Sequence, residues 1–482
     1  MIKNYHAISH GLHGLGDLEY HFGSHLLMAA MGNIARTSII DSYDYLFVFL
    51  VVPLLSVSVI AVSEEFYPSQ DVSDFLKKLY MYLLVFLGTG VMLPLSVPEI
   101  FALWPSFFQS ESYTVSLILL LCLISLLTKD VECGLGVTGR LIFLSGILVV
   151  IVLYTTAAKI STGFVALGLI DAWALLSRER LFSPLWTGRW IILIVSAAGF
   201  LLLFSQINPT MSDANLDVFE FVRDYVSLPA PVWLKLPFFI VVHFFFPLLA
   251  LLVCWQKYRQ HAMAEIPGWW ILGLAGSLVL GAGVILLLFV QGGSGYYFSN
   301  ISMFVALPLV LSIPQLYEEA IKKHWTIIKP LAIATLVIHG APAIGYGIYK
   351  YVSEMGTTPE RNTYVPYLDS LRQIAETDPG SPALVHIPRS EKYWEKMYSM
   401  PLDLNACRAL TYTIPAISEH PALYSWPTEE CYSYLCGERF HSNGLCEASD
   451  HIYSRRELIE EAHNLGYNRV YLVTANDIEI LE

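Results

Sequence analysis

About ten apolar stretches run through residues 46–344, each close to the roughly 20 residues a helix needs to cross a hydrocarbon core of about 30 Å. They cover 46–63, 79–97, 113–128, 141–157, 163–176, 190–206, 232–255, 268–290, 296–312 and 325–344. In lipid a backbone has no water to bond to, so each stretch is expected to be a helix. A wholly soluble fold is excluded on the same grounds. Hydrophobic residues make up 55% of the chain and charged residues 14%, against about 25% charged in soluble domains. The expected fold class is an α-helical polytopic membrane domain of about ten spans with a small C-terminal extracytoplasmic α/β domain. The organisation reads as a polar segment 1–45, a multi-span domain 46–346 and a soluble domain 347–482. The formal net charge of −13 argues against nucleic acid as a partner, because phosphate backbones need a basic face.

Charge in the connecting loops sets an orientation. With the N-terminus outside, the inside loops carry Lys77, Lys78, Lys129, Arg140, Arg178, Arg180, Arg189, Lys257, Arg259, Lys322, Lys323 and Lys329. The short outside loops carry only Lys159, Arg223 and Lys235. This alternation is the positive-inside pattern. It predicts an integral multi-pass protein of the plasma or inner membrane with both termini extracytoplasmic. An exported front end without a signal peptide leads us to expect a further span upstream of Met1 in the gene.

The tail agrees with an outside location. Cys407, Cys431, Cys436 and Cys446 cluster there, and disulfides persist outside the cytosol. Their three possible pairings stay open. Residues 367–376 have helical spacing, 383–387 read as a strand, 390–400 as a helix and 467–474 as a strand. Ser454 and Glu457 match a capping box opening a helix that ends at Gly466. Tyr424, Trp426, Tyr432 and Tyr434 either stack on sugar rings or pack on the domain and at the membrane surface.

Chemistry-bearing residues concentrate at the front. His6, His10, His13, His21 and His25 surround Asp17 and Glu19. Two carboxylates at i and i+2 point the same way in an extended chain, so both can face one divalent ion. His21 and His25, four apart, can add nitrogen ligands. The candidate metal is magnesium or manganese, held by Asp17, Glu19, His21 and His25. Ordinary hydrogen-bonded polar residues are the competing reading. Within the spans, Asp171 lies in the short fifth stretch and Lys159 just before it. Polar groups at such depth usually face a cavity. His243 and His339 read as satisfied structural histidines. Gly292, Gly293 and Gly295 form a turn that can cradle a phosphate through backbone N–H groups, or simply reverse a helical hairpin. Residues 212–226, containing Arg223, read as a polar outer segment, either a helix or a solvated loop.

Together, Asp17-Leu18-Glu19 in the first outer segment and Lys159-Ile-Ser-Thr-Gly163 before a short span resemble the GT-C class of polytopic membrane glycosyltransferases. The resemblance covers most of the chain. In that class the acidic motif follows a first span that starts in the cytosol, and here that span is the one expected upstream of Met1 in the gene. The resemblance implies transfer of a sugar from a polyprenyl-phosphate-linked donor at the outer membrane face. Asp17 and Glu19 would be catalytic and metal-binding. Lys159, Asp171, Arg223, Gly292, Gly293 and Gly295 would bind substrate. The implied partners are the bilayer and the lipid-linked sugar donor. Two other classes compete: a non-enzymatic protein of polysaccharide or lipid export or assembly, and a metal-handling transporter using the histidine-rich front.

Overall fold

A computed structural model describes residues 12–13, 23–35, 50–88, 111–129, 137–176, 184–207, 214–216, 219, 223, 231–259, 266–290, 296–324, 326, 330, 365–378, 382–394, 413–423 and 453–482. The chain divides into two compact units: residues 50–352, and residues 1–49 together with 353–482. In chain order the elements are β1 (Leu12–His13), α1 (Gly23–Ala35), α2 (Val52–Phe66), α3 (Val72–Gly88), α4 (Glu111–Lys129), α5 (Val137–Ala158), α6 (Ile160–Leu175) and α7 (Pro184–Ile207). There follow β2 (Ala214–Leu216), α8 (Val232–His243), α9 (Phe245–Arg259), α10 (Gly268–Leu287), β3 (Leu288–Val290), α11 (Tyr296–Leu316) and α12 (Glu318–Lys323). The last are α13 (Val365–Thr377), β4 (Ala383–His386), β5 (Ala422–Leu423), α14 (Arg455–Asn464), β6 (Arg469–Val473) and β7 (Ile478–Leu481).

The unit 50–352 is a helical bundle built around α11. Ile301, Met303, Phe304, Val305, Leu307, Leu309 and Leu311 are all sealed from solvent, so neighbours cover the middle of this helix on every side. It packs against α2, α3, α4, α6, α9 and α10. Close approach to α10 depends on Gly281, where an added Cβ would lie 2.7 Å from Ser299 Cα. Trp270 Nε1 donates to the Val305 carbonyl at 3.1 Å and fastens the same pair. At one end, buried Lys78 pairs with Glu64 at 2.9 Å and donates to the carbonyls of Ser63 and Tyr67. It thereby closes the turn from α2 to α3.

Three helices among the described residues are long and apolar enough to cross a membrane: Trp186–Ser205, Gly268–Leu287 and Tyr297–Leu316. Shorter apolar helices cover Ser112–Thr128, Ser145–Ala158 and Ile160–Leu175. The stretch 232–255 breaks at Phe244 into α8 and α9. Pro247 accounts for the break, since its ring clashes with the carbonyl four residues earlier. The stretch 268–290 ends as strand β3, paired antiparallel with β2. Residues 214–216, inside the polar segment read as a possible helix, are thus a strand. The tenth stretch and His339 lie outside the described residues.

The other unit is a three-layer α/β structure. Its sheet runs β1-β5-β4-β6-β7, with β1, β5, β4 and β6 parallel and β7 antiparallel at the far edge. Both faces are covered, which is why β4 and its flank form the continuous buried run Ala383-Leu-Val-His-Ile387. Ala383, Val385 and Ile387 pack with Tyr367, Leu371 and Ile374 of α13, and with Tyr393, Trp394 and Ile414. Leu384 packs on the opposite face with Leu458 and Ala462 of α14. Strand β1 joins this sheet from the front of the chain, with Leu12 opposite Ala422 and His13 opposite Leu423. The helix expected over 390–400 contains a single 3-10 turn, Lys392–Trp394, before the described residues end.

The capping box forms as expected. Ser454 N–H donates to Glu457 Oε2 at 2.7 Å, and Glu457 N–H donates to Ser454 Oγ at 3.3 Å. Gly466 closes the helix with φ of 82°, where an L side chain is strained. Ser454→Ala should cost about 1 kcal/mol, read as a lowered melting temperature with unchanged far-ultraviolet dichroism.

Two buried histidines make this unit sensitive to acid. His386 Nδ1 donates to the Leu423 carbonyl at 2.8 Å. Burial holds the pKa of His386 below the ordinary imidazole value, and the Arg389 charge adds to this. Burial lowers His420 as well, against an opposing effect of Asp378. Folded values below the unfolded value of about 6.5 mean that stability is complete above that pH and is lost as pH falls below it. The melting temperature of the full chain's α/β unit should fall between pH 7.5 and 5.5. A His386→Gln, His420→Gln double variant should flatten that dependence.

Candidate functional site in the helical unit

The richest polar grouping in the helical unit gathers where α5 ends, α6 begins, and α4 and α11 start. Between α5 and α6 only Lys159 leaves helical geometry, with φ −158° and ψ 117°. Its backbone stays satisfied on both sides: Lys159 N–H donates to the Thr155 carbonyl at 2.8 Å, and Gly163 N–H donates to the Lys159 carbonyl at 3.0 Å. The bend brings the two helices so close that a Cβ at Gly163 would lie 2.7 Å from Thr156 Cα. The sequence Lys159-Ile-Ser-Thr-Gly163 is therefore a sharp helix-to-helix corner.

That corner turns a lysine inward. Lys159 is 6% exposed, and its Nζ lies 3.8 Å from the centre of the Tyr297 ring, a cation–π contact. The Tyr297 ring in turn meets Tyr113 at 4.8 Å between centres, and Tyr113 OH donates to the Tyr297 carbonyl at 3.3 Å. One turn further along α4, Ser116 Oγ donates to Thr162 Oγ1 at 2.9 Å. Asn300 follows Tyr297 by one turn of α11 and is 0% exposed. Its Oδ1 and Nδ2 find no hydrogen-bond partner among the described residues, nor do Thr155 Oγ1 and Ser161 Oγ.

Arg223 belongs to the same end of the unit. Phe219, in left-handed conformation at φ 66°, donates its N–H to the Leu286 carbonyl near the end of α10. Arg223 N–H then donates to the Phe219 carbonyl, and the Arg223 carbonyl accepts from Lys235 Nζ at 2.9 Å. The side chain of Arg223 is exposed. Gly292, Gly293 and Gly295, which link β3 to α11 in sequence, lie outside the described residues. Asp171 sits apart from Lys159, twelve residues along α6, or about 18 Å of helix. It shares a more exposed stripe with Phe164, Gly168 and Leu175, whereas Val165, Ala166, Leu169 and Ile170 are buried.

The acidic pair belongs to the chain of the α/β unit. Asp17, Glu19 and His21 lie outside the described residues, and His25 is in the first turn of α1. The chain leaves β1 at His13, at the sheet edge where β4, β5 and β6 also end, because these strands are parallel. Asp17 and Glu19 are four and six residues further on. In parallel sheets this carboxyl edge is where ligands bind. Between β4 and β6, part of that edge is closed by the protein itself. Glu391 Oε2 accepts from Tyr367 OH at 2.7 Å and from Ala475 N–H at 3.1 Å. Burial, reinforced by the carboxylate, pushes the Tyr367 hydroxyl up to about 12. Cys407, Cys431, Cys436 and Cys446 lie outside the described residues. Cys122 and Cys254 are free thiols. Among the described residues no three His, Cys, Asp or Glu side chains converge as a metal site.

Sequence reasoning singled out Lys159 but passed over Tyr113, Tyr297 and Asn300. The available signal was Ser299-Asn300-Ile301-Ser302, a polar run just inside an apolar span, where each polar group is costly in lipid. Comparisons with known protein families, curated proteins and solved structures find no match to this chain.

Proposed function

We propose that the chain is a multi-pass membrane glycosyltransferase that takes a sugar from a polyprenyl-phosphate-linked donor at the outer membrane face. The observation that carries the reading is the polar end of the helical unit. There a buried lysine, two tyrosines and a layer of hydroxyl and amide groups meet among apolar helices, with Arg223 at the same end. Such a grouping suits a ligand with an anionic phosphate and a hydroxylated ring.

The shared sheet supports the topology. Strand β1 pairs with β5, so residues before and after the helical unit fold together. Both must lie on the same side of any membrane that the unit crosses, which requires an even number of crossings. Ten spans with both termini extracytoplasmic meet that condition. An impermeant thiol reagent applied to intact cells should reach the tail cysteines after reduction. Labelling only after membranes are opened would reverse the orientation.

In the reaction, Asp17 or Glu19 takes the proton of an acceptor hydroxyl as its oxygen bonds to the anomeric carbon. The bond from that carbon to the donor phosphate oxygen breaks, and the electron pair leaves with the phosphate. The donor set of two carboxylates and two imidazoles suits a divalent ion. Asp17 and Glu19, with His21 and His25, would hold magnesium or manganese, whose charge stabilises the leaving phosphate.

The test is release of radiolabelled hexose from decaprenyl phosphate-hexose by the purified chain in lipid nanodiscs. Release should require magnesium or manganese and stop with chelator. Absence of release for every hexose tried, with metal present, would overturn the reading.

A further inference from the structure

We infer that the buried face of α11 below Tyr297 is a subsite for the hydroxyl groups of a sugar, read by Asn300, Ser161 and Thr155. The identity of the ligand rests on the glycosyl-transfer reading above; the need for one rests on the side chains themselves. Asn300 is three residues after Tyr297 and so shares its helix face. That face is fixed by the contacts of Tyr297 with Lys159 Nζ and the Tyr113 ring, which direct it toward the beginnings of α4 and α6. Thr155 and Ser161 flank Lys159 on the two arms of the corner. Asn300 and Thr155 are 0% exposed and Ser161 is 4% exposed. Four polar atoms on these three residues have no partner among the described residues. Buried polar groups are ordinarily satisfied, and leaving them unmatched opposes folding. An apolar side chain at any of the three positions would avoid that cost.

The donor and acceptor inventory narrows the ligand. An asparagine amide offers N–H groups and a carbonyl, and each hydroxyl both donates and accepts. Ionised phosphate only accepts and leaves Asn300 Oδ1 unmatched. Sugar hydroxyls both donate and accept, so they can satisfy an amide N–H, an amide carbonyl and a hydroxyl alike.

The experiment compares decaprenyl phosphate carrying glucose or mannose with unmodified decaprenyl phosphate. The full chain is held in nanodiscs free of sugar-based detergent. Wild type should bind at least one sugar-bearing lipid tenfold or more tightly than the bare lipid. Asn300→Leu should erase that preference while keeping wild-type affinity for the bare lipid, and its melting temperature without ligand should be unchanged or higher. Ser161→Ala should lose part of the preference and serves if Asn300→Leu fails to fold. A wild type indifferent to the sugar, or a preference that survives in the substituted chains, overturns the subsite. Asn300-dependent sugar preference without any sugar release would retain the subsite and sink the transfer reading. Release with an Asn300-independent preference would do the opposite.

Discussion

Alanine at both Asp17 and Glu19 is expected to lower metal-dependent sugar release by a hundredfold or more, the usual yield of a positioned general base. The melting temperature should change little. The contrast is what makes the result informative. A carboxylate that merely satisfies buried partners would cost about 1–3 kcal/mol of stability on removal, with no change in metal dependence. Each single variant should also weaken manganese binding, because oxygen ligands of one ion are lost in either case. His6, the histidine furthest in sequence from the pair, should tolerate alanine. Full activity in the double variant would end the assignment of these carboxylates to catalysis and leave the inner polar grouping to be explained by another chemistry.

Trp394→Ala is expected to destabilise the α/β unit by about 3–5 kcal/mol, the range for a large aromatic removed from a packed core. Trp394 is 0% exposed, meets Tyr393 edge-on at 4.7 Å and donates Nε1–H to the Pro388 carbonyl at 3.0 Å. Its loss opens a cavity beneath β4 and removes one of two donors to that carbonyl, which keeps the Glu391 N–H at 3.0 Å. Hydrogen exchange should speed up across β4 and β6 while α10 and α11 keep their protection. Equal loss of protection in both units would show that they unfold together.

How much of this was legible in the sequence depended on how local each signal is. The capping box at Ser454 and Glu457 needs only four residues, and it was readable. The strand at 383–387 was readable because burial on both faces leaves an uninterrupted apolar run. Strand β1 was not, because two residues carry no period and their partner is Ala422–Leu423. The end of α10 was misjudged for a similar reason. Leu288–Val290 is apolar enough to extend a helix, but pairing with Ala214–Leu216 and the N–H of Phe219 on Leu286 turn it into a strand. At the candidate site, Lys159 stood out as a charge before an apolar span. Asn300 did not, because an uncharged amide near a span end resembles an ordinary helix start until its burial is known.

The pairing of Leu12 with Ala422 also dictates a timetable for making the protein. The strand at the front is synthesised first, and its partner follows roughly four hundred residues later, which at 5–20 residues per second is about 20–80 s. Throughout that interval Leu12 and His13 must remain available while every helix of the bundle is made. The tail, once made, presents the edge of β5 bare until the front strand arrives. Unpaired strand edges are templates for aggregation. A fragment beginning near residue 353 would carry that edge permanently uncovered, so the α/β unit cannot be excised as one contiguous piece. Its expression calls for residues 1–49 supplied in trans or joined by a linker in place of the helices.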